Sequence, residues 1–300
     1  MLTAKQIFEF LETEYHGTID DIDCFTTLDQ PKKNSILFVK NKSNKIIEKL
    51  SHHDECLIIL PKEMKNFDNL KKSCGYIFVN NPRETFFKLI NEFFTENKSN
   101  VIENSSKISK ETNIGSSVGI GIDTIILGKV TIGNNVNIGP NSLIIGPCNI
   151  GNNTNISSGV IIGEDSLSIS YEKGSPIQNP QLGGVVIGKN SRIGVFSTIS
   201  RGSIGDTILG DNVFLGEYAH VGHNSMVCSN SVMTIRSSIC GSVIMEKESW
   251  LGPHSVILNG VKVKEKIKLG INSVLQTNVK KPGTYFGNPA KILEFEKKNL

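Results

Sequence analysis

The chain has 300 residues, of which 38% are hydrophobic and 20% are charged, and its formal net charge is only +3. These values exclude a disordered chain and give no reason to expect a nucleic-acid partner. The longest apolar runs, such as residues 57–60, are far shorter than the roughly 18 residues that span a bilayer. The six cysteines form no CxxC pair, and the first residues lack the apolar core of a signal peptide. We therefore expect free thiols in a cytoplasmic protein without a membrane span.

Residues 1–100 predict a small α/β domain that is denser in aromatic side chains than the rest of the chain. Apolar spacing and short runs rich in β-branched residues indicate its secondary structure. The predicted elements are helices at 5–14 and 83–96 and strands at 35–40, 56–60 and 77–79.

Two short segments of this half carry further signals. The adjacent His52 and His53 suggest a metal site, but neighbours in an extended segment point to opposite sides, which favours a solvated turn. The polar stretch that ends the domain is rich in Asn, Ser and Lys, and it predicts a linker at 101–111.

From residue 112 onward the sequence repeats every six residues. One aliphatic side chain recurs in register, usually with a small or β-branched residue two positions before it and often with a glycine after it. The recurring positions are Ile114, Ile120, Ile126, Ile132, Ile138, Ile144, Ile150, Ile156, Ile162, Ile187, Ile193, Ile199, Leu209, Leu215, Val221, Val227, Met233, Ile239, Met245, Leu251, Ile257, Val263, Leu269 and Leu275.

A period of six matches neither an α-helix nor a half-exposed strand. It is typical of a triangular parallel β-helix, in which each short strand places one aliphatic inside and then turns. Three hexads make one coil, so the 24 hexads predict eight coils within 112–284. We expect glycine at the corners because it reaches backbone angles barred to other residues. The register is lost at 164–184, which predicts an external loop, and at 200–206, which predicts a smaller bulge.

The repeat region contains three histidines, His220, His223 and His254. Val221 points inward, so its neighbours His220 and His223 lie on the outer surface. Because residues 18 apart lie one above the other, Gly241 lies one coil beyond His223. An imidazole can take a proton from an attacking amine, and a glycine N–H can stabilise an oxyanion. The pair predicts an acyl-transfer site, in which Asn224 could hold a polar group of the substrate.

Four runs, Pro180–Gly188, Thr198–Gly202, Asp206–Thr207 and Gly222–Asn224, resemble the UDP-3-O-acylglucosamine N-acyltransferases of lipid A synthesis. The resemblance extends over nearly the whole chain. It implies a left-handed β-helix, a homotrimer with active sites between neighbouring prisms, and a 3-hydroxyacyl donor on acyl carrier protein. The general base of that family falls on His223 and its oxyanion glycine on Gly241.

The resemblance also implies that residues 1–100 bind a nucleotide sugar. The family pattern F-x-x-N-x-x-Y predicts Phe38 and Asn41 as substrate-binding residues, to which we add His220 and Asn224. Asn44 stands where the family has its tyrosine, and the loop at 164–169 keeps only the aspartate of the family motif A-D-G-F-G-Y. These departures concern the substrate and leave its identity open.

Residues 285–300 predict a short carboxyl-terminal tail. The run Gly287–Lys291 resembles the ending of acetyl-CoA-dependent hexapeptide acetyltransferases, and the segment after it is too short for a helical extension. Asn288, Pro289 and Lys291 are therefore predicted to bind the acyl donor, since a lysine beside a rigid turn can meet a CoA phosphate. We expect no permanently bound cofactor, and either acyl carrier protein or CoA as the thioester carrier.

These observations favour an N-acyltransferase that acts on a nucleotide-activated amino sugar, for lipid A or for O-antigen or capsule synthesis. The first alternative is an acetyl-CoA-dependent N-acetyltransferase for amino sugars. A zinc hydratase on the same scaffold would need three histidines around one ion, but His254 lies nearly two coils from His223, so no metal is predicted. A non-catalytic scaffold that carries His223 as a surface residue is the remaining alternative.

Overall fold

The computed structural model describes residues 2–14, 16–17, 19–65, 70–95 and 100–293. The chain divides into two compact units, Met1–Asn97 and Lys98–Leu300. Each unit has its own apolar core.

The first unit is an α/β domain built on a parallel four-stranded sheet. In sheet order the strands are Cys24–Phe25, Ser35–Phe38, Cys56–Pro61 and Gly75–Val79. The helices are Ala4–Leu11, Asn44–Leu50 and Pro82–Leu89, with a 3-10 turn at Lys62–Met64, a π-helical turn at Ile90–Phe94, and an antiparallel pair of Leu2–Thr3 with Asp21–Ile22. No helix in the described part of the chain could cross a membrane. Because the two faces of the sheet cover separate cores, its strands read as continuous apolar runs.

Two details of this unit differ from the expectations. The helix Asn44–Leu50, capped by the Ser43 side chain, was not predicted because it is only seven residues long. The solvated turn predicted for the histidine pair is wrong for His53, which is fully buried and has its Nε2 3.0 Å from the carbonyl oxygen of Leu28.

The second unit is a parallel β-helix with three sheets along its length. The first face consists of Lys107–Ile108, Ile125–Leu127, Leu143–Ile145, Ile161–Ile162, Thr198–Ile199, His220–Val221, Ser238–Ile239, Val256–Ile257 and Val274–Leu275. The second face consists of Asn113–Ile114, Val130–Ile132, Cys148–Ile150, Val185–Ile187, Thr207–Leu209, Met226–Val227, Ile244–Met245 and Lys262–Val263. The third face consists of Gly119–Ile120, Asn137–Ile138, Asn155–Ile156, Arg192–Ile193, Phe214–Leu215, Val232–Met233, Trp250–Leu251, Ile267–Leu269, Gly283–Phe286 and Lys291–Ile292.

The repeat register is confirmed, but the β-helix is longer than predicted. The first face has nine strands, one for each coil, rather than the eight expected. The predicted linker 101–111 is instead part of the first coil, since Lys107–Ile108 pairs with the next coil. The predicted tail also enters the fold, because Gly283–Phe286 pairs with Ile267–Leu269 and then with Lys291–Ile292.

The recurring aliphatic side chains form one continuous core. All of the predicted inward positions are buried except Ile114, which lies in the first coil and is 37% exposed. Adjacent coils cover the aliphatic side chains of the coils between them, so the first coil lacks cover on one side.

The corner glycines have a different role from the one predicted. Most of those that follow the core isoleucine, such as Gly133 and Gly139, do not have left-handed backbone angles, and Gly163, at the start of the external loop, is the exception with a φ of +84°. A Cβ at these positions would lie 2.8 Å from the Asn152 nitrogen and 2.6 Å from the Ser158 nitrogen of the next coil. These glycines therefore permit close stacking of the coils. The left-handed angles fall mostly two residues later, at positions where asparagine is the commonest residue, as in Asn135, Asn141, Asn153, Asn190, Asn212, Asn224 and Asn230, and where aromatic and charged residues such as Phe196, Tyr218 and Arg236 also occur.

Candidate active site

His223 lies in the corner between the first and second faces, directly after the strand His220–Val221. Its side chain is half-buried and lies over Gly241 of the next coil. A Cβ on Gly241 would be only 2.3 Å from Nε2 of His223, so this position excludes every residue but glycine unless the imidazole moves. The N–H of Ser242 donates to the carbonyl oxygen of His223 at 2.8 Å, which fixes the two corners together. The stacking predicted from the 18-residue period is thus confirmed.

The N–H of Gly241 is available at this corner. Within the described part of the chain it donates to no other residue. At the same place in some other turns a side chain of the next coil accepts this bond. The N–H of Lys189, for example, donates to the Asp211 carboxylate at 2.9 Å, and that of Asp211 to the Ser229 hydroxyl at 3.0 Å. The free N–H beside the imidazole can therefore donate to an anionic oxygen of a ligand.

Asn224, predicted to bind substrate, uses its polar groups within the chain. Its backbone N–H donates to the Thr207 hydroxyl at 2.9 Å, and its Nδ2 donates to the carbonyl oxygen of Gly205 at 2.9 Å. Its Oδ1 accepts the N–H of Ser203 at 2.9 Å and lies 3.2 Å from Nδ1 of His223. The residue thus joins the bulge at 200–206 to the candidate base.

The bulge is also joined to the external loop. The loop at 164–184 contains an exposed antiparallel hairpin, in which Ile169–Glu172 pairs with Ser175–Gln178. At its base the N–H of Leu182 donates to the Ser203 carbonyl at 2.7 Å, and the N–H of Gly184 donates to the Asp206 carboxylate at 2.7 Å.

Arg201 anchors the external loop through hydrogen bonds to backbone carbonyl groups, a role that the sequence did not predict. Its guanidinium donates to the carbonyl oxygens of Gly163 (2.7 Å), Gly146 (2.6 Å) and Gln181 (3.4 Å), and its side chain is 15% exposed. Nε lies 3.7 Å from the carboxylate of Asp165, the aspartate that the loop shares with the family motif. The sequence did contain a signal for this role. An arginine stands where the repeat register is lost, and backbone carbonyl groups in irregular structure need hydrogen-bond donors.

We predict that Arg201→Ala loosens the hairpin without unfolding the β-helix. Each charge-assisted hydrogen bond contributes about 1.5–3 kcal/mol, so trypsin cleavage after Lys173 in the hairpin turn should become about tenfold faster or more. Limited proteolysis followed by mass spectrometry measures this rate. Arg192→Ala, at an exposed arginine of the third face, is the control and should leave the cleavage rate unchanged. Equal rates for both variants would contradict the clamping role.

His220 lies on the first face, two residues from the start of the corner that carries His223. Its Nδ1 shares a hydrogen bond of 2.7 Å with the Thr198 hydroxyl. Burial lowers the pKa of His220, so the imidazole is neutral at physiological pH. His254 lies at another corner, between the third and first faces. Among the described residues no group of three His, Cys, Asp or Glu side chains could hold a metal ion.

The other predicted binding residues lie apart from this corner. In the first unit Phe38 is half-buried and packs against Phe86 and Phe87, with ring centroids 5.0 and 6.2 Å away, while Asn41 is exposed in the following turn. A cavity of about 390 Å³ in the same unit is lined by Lys40, Asn81, Arg83, Glu84 and Phe87, which the sequence did not single out.

The carboxyl-terminal turn packs on the last coil. The N–H of Ala290 donates to the Val274 carbonyl at 2.8 Å, and the Gln276 amide donates to Oδ1 of Asn288 at 3.3 Å. Lys291 is exposed on a short strand that follows the cis peptide bond between Asn288 and Pro289. The turn thus presents a cation to solvent at the end of the β-helix.

Comparisons with known proteins agree with this architecture. No protein-family model matches the chain. The UDP-3-O-acylglucosamine N-acyltransferases of Herminiimonas arsenicoxydans and Janthinobacterium sp. (strain Marseille) are 30% and 32% identical to it over 141 and 142 residues. The alignments cover 46% and 47% of this chain but only 40% and 41% of those relatives. The chain thus spans about two fifths of the length of the curated relatives that it matches.

Solved structures resemble the chain over a larger part of its length. A UDP-N-acetylglucosamine acyltransferase from Campylobacter jejuni matches 64% of this chain and 74% of its own, with a TM-score of 0.59 and 28% identity. The UDP-N-acetylglucosamine O-acyltransferase of Moraxella catarrhalis matches 66% and 75%, with a TM-score of 0.60 and 23% identity. These matches assign the second unit to the left-handed parallel β-helices and confirm the expected handedness.

Proposed function

We propose that the chain is an N-acyltransferase that moves an acyl group from a thioester to the amine of a nucleotide-activated amino sugar. One observation carries the proposal, which is that the His223 imidazole lies over Gly241, whose N–H donates to no other described residue. A proton acceptor and an oxyanion donor on adjacent coils are the two groups that acyl transfer to an amine requires. The names of the similar acyltransferases support the class of substrate.

In the proposed reaction the neutral amine attacks the thioester carbonyl carbon and forms the C–N bond. The imidazole of His223 takes a proton from the attacking nitrogen, while the carbonyl oxygen becomes an oxyanion that accepts the N–H of Gly241. The intermediate then collapses with cleavage of the C–S bond, and the leaving sulfur takes the proton from the imidazolium. The products are an amide and a free thiol, so one histidine serves as base and then as acid.

For the acceptor, we propose that the first unit binds the nucleotide through Phe38 and Asn41. The cavity that Lys40 and Arg83 line supports the proposal. Neither side chain makes an ion pair with any described residue, so both could meet phosphate oxygens. His220 lies on the face beside His223 and could donate a hydrogen bond to the sugar or accept one from it. The acyl group we propose is a 3-hydroxyacyl chain, which a cytoplasmic homotrimer transfers for the synthesis of lipid A or of O-antigen or capsule.

An acetyl-CoA-dependent reaction is the second candidate, and one observation favours it. The exposed Lys291 beside the turn at Asn288 and Pro289 presents a cation where a CoA phosphate could bind. In this reaction the same base and the same oxyanion donor would act on a shorter acyl group.

A donor panel tests the proposal and separates the two candidates. The purified chain would be given UDP-linked and dTDP-linked amino sugars with acetyl-CoA, 3-hydroxybutyryl-CoA or a long 3-hydroxyacyl-acyl carrier protein. We expect amide formation by mass spectrometry, with turnover at least about tenfold higher for the hydroxyacyl donors. Highest turnover with acetyl-CoA would select the second candidate. The absence of amide with every donor would overturn both.

A further inference from the structure

We infer that Asn224 is a positioning residue that holds His223 in the tautomer with its proton on Nδ1, and so couples the base to the bulge at 200–206. The role of His223 as a base rests on the proposed function, but the tautomer itself does not. This positioning role replaces the substrate-binding role expected for Asn224.

The orientation of the Asn224 amide is decided by two backbone groups of the bulge. The carbonyl of Gly205 can only accept a hydrogen bond, so the amide atom that faces it at 2.9 Å must be Nδ2. The N–H of Ser203 can only donate, so the atom that faces it at 2.9 Å must be Oδ1. If the amide were flipped, its oxygen would face the carbonyl oxygen of Gly205 and its nitrogen would face the N–H of Ser203. Neither hydrogen bond could then form. The bulge therefore determines which end of the amide faces His223.

This orientation in turn decides the tautomer of the imidazole. Oδ1 of Asn224 has no proton to give, and it lies 3.2 Å from Nδ1 of His223. Nδ1 must therefore carry the proton in a favourable contact, and in the neutral ring Nε2 is left with its lone pair. Nε2 is the ring atom nearest to the position of a Cβ on Gly241. The atom free to take a proton thus lies over Gly241, the residue whose N–H is available.

The backbone holds Asn224 in place for this task. Its φ of +55° is a left-handed angle that asparagine tolerates better than most residues, and its N–H is bonded to Thr207 just after the bulge. Ser203 is bonded in turn to Leu182 at the base of the hairpin. A continuous series of contacts thus runs from Leu182 through Ser203 and Asn224 to His223.

Nitrogen NMR of histidine-labelled protein tests the tautomer without any substrate. In the wild type at pH 8 we expect His223 to show a protonated Nδ1 and an unprotonated Nε2. Asn224→Ala should shift the population toward protonated Nε2, the form that free imidazole side chains prefer. Asn224→Asp keeps the acceptor toward Nδ1 and should retain the wild-type tautomer, although it loses the donor to the Gly205 carbonyl. Asn230→Ala is the matched control, since Asn230 has a similar φ of +60° but lies on another corner.

Kinetics then test the positioning role. Asn224→Ala should lower kcat about 10- to 100-fold with little change in KM, because the wrong tautomer offers no lone pair at Nε2. Asn224→Asp should restore most of this loss and move the acid limb of the pH–rate profile to higher pH, since a carboxylate stabilises the imidazolium. Wild-type kcat in Asn224→Ala, or an unchanged tautomer in that variant, would overturn the inference. A wild type with the predicted tautomer but no transferase activity would refute the proposed function alone.

Discussion

Replacement of His223 by alanine is expected to lower the rate of acyl transfer by about 10²- to 10⁴-fold, the usual contribution of a positioned general base. The variant should fold normally because the side chain is half-buried at a corner and supports no part of the core. The decrease should fall on kcat, since the amine must lose its proton in the transition state while binding rests on other groups. Initial rates with saturating donor and acceptor measure the effect.

His254→Ala is the matched control for this experiment. His254 is also a corner histidine of the β-helix, but it lies between the third and first faces. We expect wild-type rates from this variant. If both variants kept full activity, His223 would have no catalytic role, and if both lost it, a general loss of structure would be the explanation.

Replacement of Gly241 by alanine should be nearly as damaging, although it adds only one methyl group. The new Cβ would stand 2.3 Å from Nε2 of His223, so the imidazole must swing away and lose its contact with Asn224. The displaced ring and the obstructed N–H act together, and we expect a decrease in kcat on the order of 10³-fold. Thermal unfolding should show at most a small change, because the methyl group points toward a movable side chain.

Gly260→Ala provides the steric control. Gly260 lies at the corner one coil beyond Gly241, and a Cβ there would meet nothing within 4 Å. Its φ of +71° means that alanine costs some stability, so this variant should melt earlier yet retain its rate. The opposite pattern, with activity kept in Gly241→Ala, would show that the imidazole does not act from its position over Gly241.

The fold could be predicted because one physical requirement repeats. A single aliphatic side chain must enter the core on every short strand, and this requirement leaves isoleucine at every sixth position from Ile114 to Ile162. The same period places residue pairs on adjacent coils, which is why the spacing of the two residues was enough to assign Gly241 to His223. The first coil was not predicted, although Ile108 continues the six-residue period and packs against the core, because the Asn, Ser and Lys residues around it are typical of a linker.

The role of Asn224 could not be predicted, because it depends on irregular backbone. Its partners Ser203 and Gly205 lie in the bulge, where the six-residue register is lost and the path of the chain follows no period. The resemblance in the run Gly222–Asn224 pointed to the asparagine but not to its contacts. Likewise the carbonyl oxygens that Arg201 binds belong to separate coils and to the loop, and only the folded chain brings them together.

The corner glycines show how a correct pattern can receive the wrong explanation. Glycine after the core isoleucine was expected to supply unusual backbone angles, whereas at every such position except Gly163 its role is to let the next coil approach. The unusual angles fall mostly two residues later, where asparagine is the commonest residue because its short polar side chain tolerates the left-handed region. At Gly241 the absence of a side chain makes room for the imidazole of His223, whereas at Gly133 and Gly139 it makes room for the backbone of the next coil.

The most direct test of the central claim is transfer of an isotope-labelled acyl group to an amine by the purified wild-type chain. A thioester labelled with ¹³C at its carbonyl carbon would be incubated with a nucleotide-activated amino sugar, and the acceptor would be analysed by mass spectrometry and carbon NMR. We predict a labelled amide carbonyl, formed with release of one thiol for each amide. Label that appeared only in the free acid, or that remained in the thioester at every pH and with every acceptor, would contradict the assignment of His223 and Gly241 as an acyl-transfer site.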